Sequence, residues 1–573
     1  MAYHRDVRGF VAPNVCPLEH GLRRYQFEPV HHDPEAKPIM KPFMSPIIND
    51  GFAPDRTSAN ERNAVAKRVV EVRPKELKMT KFLQRNMDAF LRHLIPEPGV
   101  LQPALHEDVW ERQARPTQRA LLDKAEGVQP HREVKAFMKA EAYQNVKPPR
   151  IIATINSSDK RDYSCYTYSF EQLVKKCEWY AFSKTPRGIA TRVAEVCMKA
   201  QRAANTDYSK FDGHGSNLMR LFELQAFMRA FPPEHHERLR ELHGSQYGIP
   251  GRMSYGTKFD TAYMRTSGSP DTSIFNSLFN AFIAFMAFNC QGTPLEECWE
   301  KLGIYGGDDG LTADIAPRHY IRAAAMVGQE LTFEPVERGS WGIKFLARYY
   351  SPSVWYGELD SMCDVKRQLS KFHLTVALPD TVKATDKLLE KVRSYSLSDW
   401  NTPGIGDFLR RVVDIAGDIK ENKALAVIRP WSYYEGDEQY PNAGGEWMHE
   451  VILHTLPDAD WVTFGKWLDG VSTLEDLLSP PELQEQSAAK SAGVPVVVDD
   501  DVIGEENRER KAPLPEKKKE RKDAKPRMVT RADGSQETFE AFKQRKINRG
   551  EWVERPPGPA RKERQPRNKA DRR

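Results

Sequence analysis

The sequence predicts an α+β fold in which a few antiparallel strands are backed by helices. Three stretches make that prediction. Residues 201–207 form an extended run that ends on Asp207. Leu302-Gly303-Ile304-Tyr305 leads into Gly306-Gly307 and Leu311-Thr312-Ala313 returns from it, a strand, a tight turn and a second strand. Between these lie residues 273–286, SIFNSLFNAFIAFM, apolar almost throughout and too long for a single strand.

The other elements follow in chain order. Residues 28–54 are rich in proline, and a helical segment runs from Ser58 to Leu94. A basic stretch occupies Lys135-Ala136-Phe137-Met138-Lys139-Ala140-Glu141 and Lys147-Pro148-Pro149-Arg150-Ile151-Ile152. Taken alone it reads as a solvated surface. Residues 320–331 have a helix-like pattern, and Val382, Leu388, Leu389, Val392 and Tyr395 repeat at helical spacing. Two more helical stretches follow at 404–416 and 458–478. From Asn507 to Arg573 there are 23 Lys/Arg against 11 Asp/Glu, a net of +12, so the chain's total of +5 leaves −7 on the remainder. That last segment has too few apolar residues to bury a core and is predicted to be a disordered basic tail.

Three short segments carry chemistry. Asp207-Tyr208-Ser209-Lys210-Phe211-Asp212 offers two carboxylates five positions apart. Ser267-Gly268-Ser269-Pro270-Asp271-Thr272, with Asn276, is a turn running into the apolar helix. Gly306-Gly307-Asp308-Asp309 places a carboxylate pair at the hairpin tip. Singly, each has an ordinary reading as a solvated loop, a helix cap or a type I′ turn. In this order, with 56 residues from Asp212 to Gly268 and 40 from Gly268 to Asp308, they resemble motifs A, B and C of the palm of viral RNA-dependent RNA polymerases. The basic stretch resembles motif F. Residues 179–190 resemble the segment before motif A in the nodavirus- and tombusvirus-like enzymes, and residues 342–350 resemble motif E. The resemblance spans about residues 130–370.

That resemblance implies a right hand of fingers, palm and thumb. Residues 1–100 would be an N-terminal extension, 101–206 fingers, and 207–366 a palm with a fingers insertion near 225–262. Residues 367–478 would be a helical thumb and 479–573 the basic tail. Asp207, Asp308 and Asp309 become the catalytic and metal-binding carboxylates; such hard oxygen ligands select Mg²⁺ or Mn²⁺, two ions in this chemistry. Asp212, Ser267, Thr272 and Asn276 match the set around the ribose 2′-hydroxyl. Asn276 lies four residues after Thr272 and so shares its helix face. Gly268 would let the backbone approach the nascent base pair. Lys139 and Arg150 would hold the incoming triphosphate. The chain departs from the family at motif D, where Arg322 and Arg338 appear but no lysine before Lys344. Arginine is a poor general acid, so the proton donor to pyrophosphate stays open. The aromatic residues of 273–286 are read as core rather than as a platform for bases.

The implied function is RNA-directed RNA synthesis from NTPs, with RNA template and product as partners and other viral or host replication proteins joining. Seven cysteines without a Cys-x-x-Cys pair or a zinc-ligand cluster read as free thiols in a reducing compartment. No signal-peptide core is seen, and no apolar run of about 18 residues predicts a spanning helix. The expected location is the host cytoplasm, peripheral to membranes through partners. Three rivals differ in what they leave unexplained. A reverse transcriptase would share the palm but usually has an aromatic residue before its carboxylate pair and lacks the Ser-Gly-x3-Thr pattern. An inactive palm serving as an RNA scaffold has no need of three intact carboxylates. A basic RNA-binding capsid component explains the tail but not the motifs.

Overall fold

The computed structural model describes residues 14–16, 22–27, 37–113, 116–125, 127–376, 378–379, 381–417, 438–484, 490–491, 494–495, 528–530, 536–538 and 548. At its centre is a four-stranded sheet in the order Ile304–Gly306, Asp309–Ala313, Arg202–Tyr208, Leu331–Glu337. Every pairing in it is antiparallel. The two strands of the hairpin and the run into Asp207 are therefore neighbours, as their patterns predict. Behind them the apolar stretch forms one helix, Thr272–Gln291, buried without interruption from Ile274 to Phe288. It ends where Gly292 adopts φ 103°, a left-handed cap that an L side chain resists. Its phenylalanines interlock with those of neighbouring helices: Phe282 stacks on Phe222 at 4.6 Å and Phe275 on Phe170 at 5.3 Å. They are core residues. By length and composition this helix could also cross a membrane, which corrects the expectation that no segment is apolar enough; 83% of its apolar window is buried inside the protein.

A second four-stranded sheet runs in the order Ile151–Thr154, Val134–Met138, Pro250–Met253, Lys258–Asp260. Two of its strands, Pro250–Met253 and Lys258–Asp260, lie within residues 225–262. Val134, Ala136 and Met138 face a core shared with Val65 and Val69, while Lys135 and Phe137 point away from it. The alternation is that of a sheet covered on one side.

Residues 37–55 connect two distant parts of the chain. Phe52 and Tyr143 exchange both backbone hydrogen bonds at 2.8 Å. On the other side Lys41–Pro42 pairs with Leu374–Thr375, Ser45 N donates to Leu478 O, and Leu483 N donates to Ile47 O. Phe43, Met44, Ile47 and Ile48 fill the same core as the C-terminal helices Ala384–Asp399, Ile405–Ala416, Glu446–Thr455 and Trp461–Gly470.

Several predicted boundaries move. The Ser58–Leu94 segment is not one helix. It runs as Ser58–Val65, a π turn over Ala66–Val70, an irregular stretch, and a new helix at Lys81–Leu94. Pro74 lies in the gap, and proline disfavours helix at the residue before it. The new helix starts at Thr80, whose side chain accepts from Leu83 N. The 320–331 stretch is helical only within Pro317–Met326; Gly328 then takes φ 85° and Leu331 begins a strand. Val382 precedes the helix it was assigned to, and 458–478 reduces to Trp461–Gly470 plus a 3₁₀ turn at Asp476–Leu478. Cys165, Cys177, Cys197, Cys290, Cys298 and Cys363 are free. Most of the predicted tail lies outside the described residues; Lys490–Ser491 pairs with Val494–Pro495. Residues 505–573 form a separate unit, in which Met528–Thr530 pairs with Gln536–Thr538.

Candidate active site

The carboxylates come together because of strand register. Gly310 pairs with Thr206 in an antiparallel ladder, so Asp309 and Asp207, one step further along each strand, lie side by side. Asp308 occupies the turn between them and the hairpin's other strand, where Gly307 supplies φ 68°. The turn is held from behind by the apolar helix. Ser277 Oγ accepts from Gly307 N at 2.8 Å. The buried Asn280 amide donates to the carbonyls of Gly307, Asp308 and Asp309 at 3.1–3.2 Å, and its oxygen accepts from Tyr208. One asparagine thus ties both carboxylate-bearing strands to one helix.

Electrostatically the cluster is unbalanced. Burial pushes the Asp309 carboxyl up to about 7, and the charges of Asp308 and Asp207 push the same way. Asp207 is raised too, by the protein around it and by Asp308. The nearest opposing charges are Arg367 for Asp309 and Arg150 for Asp207. Among the described residues no group of three His, Cys, Asp or Glu side chains closes on one point as a ready-made metal cage. The donor chemistry nevertheless fits a hard cation: the crowded ligands are all carboxylates, and burial and like charge make Asp207 and Asp309 less acidic. Mg²⁺ sites of this kind use one or two carboxylates and complete their shell with water and substrate phosphate.

The predicted sugar-binding set divides in two. Asn276 Nδ2 donates to Asp212 Oδ1 at 2.9 Å, so these two meet. Ser267 and Thr272 do not join them through their hydroxyls. Ser267 Oγ accepts from Ala153 N at 3.2 Å and donates to Ile151 O at 3.3 Å. Thr272 Oγ1 donates to Thr266 O and Ser269 O within its own turn. Gly268 does make a close approach, but to Thr154, whose Cγ2 would stand 2.7 Å from an added Cβ. The turn before the helix is thereby laced to the Ile151–Thr154 strand.

Lys139 and Arg150 flank a single acid, with Glu141 contacting Lys139 Nζ at 2.8 Å and Arg150 Nε at 3.6 Å. Three further cations that the sequence did not single out share this region. Arg68 Nε donates to Pro148 O at 2.8 Å. Burial holds the Lys147 and Lys371 amines below their usual range, and Arg367 lowers both further, as does Arg68 for Lys147. Arg68 and Arg367 lie some 300 residues apart in sequence, so no local motif announces them. Arg338, by contrast, is spent on structure, with its guanidinium on the carbonyls of Cys197, Met198, Ala200 and Trp355. Lys344 Nζ lies 3.2 Å from Glu334.

Beneath the Asp212–Asn276 pair lies a dry ion network. Arg265 Nε donates to Asn276 Oδ1 at 3.0 Å and Nη1 to Asp271 Oδ2 at 3.0 Å, while Nη2 reaches Glu223. Glu223 also accepts from Arg220 and His243, each at 2.9 Å, and Asp271 from the Tyr163 hydroxyl at 2.9 Å. Arg265, Glu223 and Asp271 are no more than 1% exposed. Burial alone would raise the Glu223 carboxyl, yet Arg220 and Arg265 hold it well below the usual carboxylate range.

No family model matches the chain. Sequence comparison finds the RNA-directed RNA polymerases of Atlantic halibut nervous necrosis virus, 31% identical over 376 residues (64% of this chain and 38% of that protein), and of striped jack nervous necrosis virus, 31% identical over 376 residues (64% and 37%). That of Nodamura virus is 28% identical over 380 residues, 63% of this chain and 35% of the relative. The chain thus spans a little over a third of the length of the curated relatives it matches, and those relatives are nodavirus polymerases. Among solved structures, the RNA-dependent RNA polymerase of a human picorbirnavirus superposes with a TM-score of 0.50 at 13% identity, covering 64% of this chain and 75% of that one. The fold is that of a viral RNA polymerase.

Proposed function

We propose that this chain is an RNA-directed RNA polymerase that transfers nucleotidyl groups from NTPs to the 3′ end of an RNA strand and so replicates a viral RNA genome. The observation that carries the reading is the carboxylate group Asp207, Asp308 and Asp309 on adjoining strand ends, with the Arg150 charge acting on Asp207 and the Arg367 charge on Asp309. Crowded negative charge beside guanidinium groups is what a triphosphate and its counter-ions require. Right-hand RNA polymerases depend on divalent metal in general. Here Asp207 and Asp308, with Asp309 beside them, would hold Mg²⁺ or Mn²⁺, two ions, whose chemistry is to activate a hydroxyl and neutralise developing phosphate charge. Lys139 and Arg150 bind the triphosphate, the arginine through its planar fork. Asp212, fixed by Asn276, accepts a hydrogen bond from the ribose 2′-hydroxyl. Ser267, Gly268 and Thr272 shape the turn that sets this pair against the Ile151–Thr154 strand. RNA template, product and NTPs are the partners of the site, and further replication proteins would bring the enzyme to membranes in the host cytoplasm.

The experiment is direct. Purified protein incubated with an RNA template, Mg²⁺ and NTPs should yield complementary RNA, and dNTPs should be used poorly. Product from dNTPs instead of NTPs would mark a reverse transcriptase. RNA binding without synthesis under any divalent ion would mark a scaffold.

A further inference from the structure

We propose that Arg265 is a positioning residue that sets the sugar selectivity of this site by locking the Asn276 amide in one orientation. The inference rests on the polymerase reading and extends it to a side chain that touches no substrate.

A guanidinium donates and never accepts, so an amide atom that receives its hydrogen bond must be the oxygen. Arg265 Nε meets Asn276 at 3.0 Å, which fixes Oδ1 on that side and turns Nδ2 toward Asp212, 2.9 Å away. A flipped amide would set N–H against N–H on one side and oxygen against carboxylate on the other. Arg265 also holds the second member of the pair, because its backbone N donates to Asp212 O at 2.9 Å. Asp212 therefore spends Oδ1 on Asn276 and presents its remaining acceptor capacity in a fixed direction. A 2′-hydroxyl can satisfy it. A 2′-deoxyribose cannot, and a half-buried carboxylate left short of a donor discriminates against that substrate.

The lock is itself anchored. The Arg265 guanidinium is gripped by Glu223 and Asp271, both fully buried. Arg220 and Arg265 balance Glu223 and Asp271 one for one, so neither guanidinium is drawn toward the open carboxylates. Tyr163 steadies Asp271 and His243 steadies Glu223. Purely structural networks of this kind also exist, so the test must separate selectivity from stability.

Lysine keeps the charge of Arg265 but lacks the fork that serves three acceptors at once. In Arg265→Lys the ratio of kcat/KM for NTP over dNTP should fall by about tenfold, the effect of releasing one buried hydrogen bond. Asn276→Ala should lower it similarly, and the double variant should fall no further than Asn276→Ala alone. Arg229→Lys is the control. It disturbs a guanidinium held on the Ile95 and Pro96 carbonyls, outside this network, so it should lower the melting temperature and leave the ratio intact. If Arg265→Lys is too unstable to purify, Asp271→Asn and Tyr163→Phe loosen the anchor more gently and should lower the ratio by smaller factors. An unchanged ratio in Arg265→Lys, or in both milder variants, overturns the proposal while leaving polymerase activity established. A wild-type protein that extends no RNA overturns the polymerase reading and this inference with it.

Discussion

Two clusters of acids lie close together here and obey opposite rules. Around Glu223 and Asp271, water is excluded and each carboxylate is matched by a guanidinium, so Glu223 stays ionised far below the usual range. At the hairpin tip, Asp207, Asp308 and Asp309 have no such partners among the described residues, and burial together with the charges of Asp308 and Asp207 pushes Asp309 up to about 7. Residue type does not distinguish the two. Charge balance does: a neutral, buried set is an internal framework, whereas an acidic set left unmatched at a strand end awaits a cation that the chain does not supply. Asn276 links the buried set to Asp212, whose carboxyl feels the charge of Asp308.

The strongest way to break this contrast is to remove an open carboxylate. Asp207→Ala or Asp308→Ala should lower extension by on the order of a thousandfold or more while the melting temperature stays near wild type. Strong residual synthesis would show that the open cluster is not catalytic. On the buried side the outcomes exchange places. Glu223→Ala leaves Arg220 and Arg265 without their shared acid and should cost about 3–5 kcal/mol, read by denaturant unfolding. A loss under about 1 kcal/mol would mean that the network is not an anchor.

A pH comparison sharpens the point. A carboxylate whose folded pKa is raised is fully stabilised below its unfolded pKa of about 4 and loses that stability as the pH rises through about 7. Asp309→Asn removes the loss, so without metal it should melt above wild type at about pH 8 and no higher at about pH 4. Divalent ions act in the reverse sense. Mg²⁺ or Mn²⁺ should raise the wild-type melting temperature at about pH 8 and much less at about pH 6, where Asp309 holds its proton. An equal shift at both values would remove Asp309 from the metal site. The smallest effect concerns residues beyond either cluster. Deleting residues 507–573, with their net +12, should flatten the salt dependence of RNA binding by about 0.7 per lost phosphate contact and leave saturated turnover unchanged.

Much of the central sheet was legible in the sequence, because strand, tight turn and apolar helix each leave a local signature, and Asp207, Asp308 and Asp309 ride on those elements. The Asp212–Asn276 contact was legible only through family resemblance. Glu223, His243, Arg265 and Asp271 look like ordinary surface charges until three separate segments bury them together. Ser267 and Thr272 match their motif, yet their hydroxyls satisfy nearby carbonyls, which spacing cannot foretell. Arg68 and Arg367 lie some 300 residues apart in sequence, and only the closed fold brings their charges to bear on Lys147. The break at Pro74 does carry a local signal, since proline disfavours helix at the residue before it.

The segment over residues 37–55 sets a timetable for biosynthesis. Asn49 hydrogen-bonds Glu482, 433 residues away, and Asp50 bonds Gln484 across 434. At about 5–20 residues per second, roughly 20–90 s pass between the synthesis of one partner and the other. Until the chain reaches Ala384, Phe43, Met44, Ile47 and Ile48 have none of the C-terminal helices that cover them. The early chain is thus at its most aggregation-prone on the ribosome, and the stretch from Ala384 to residue 484 is what ends the exposure.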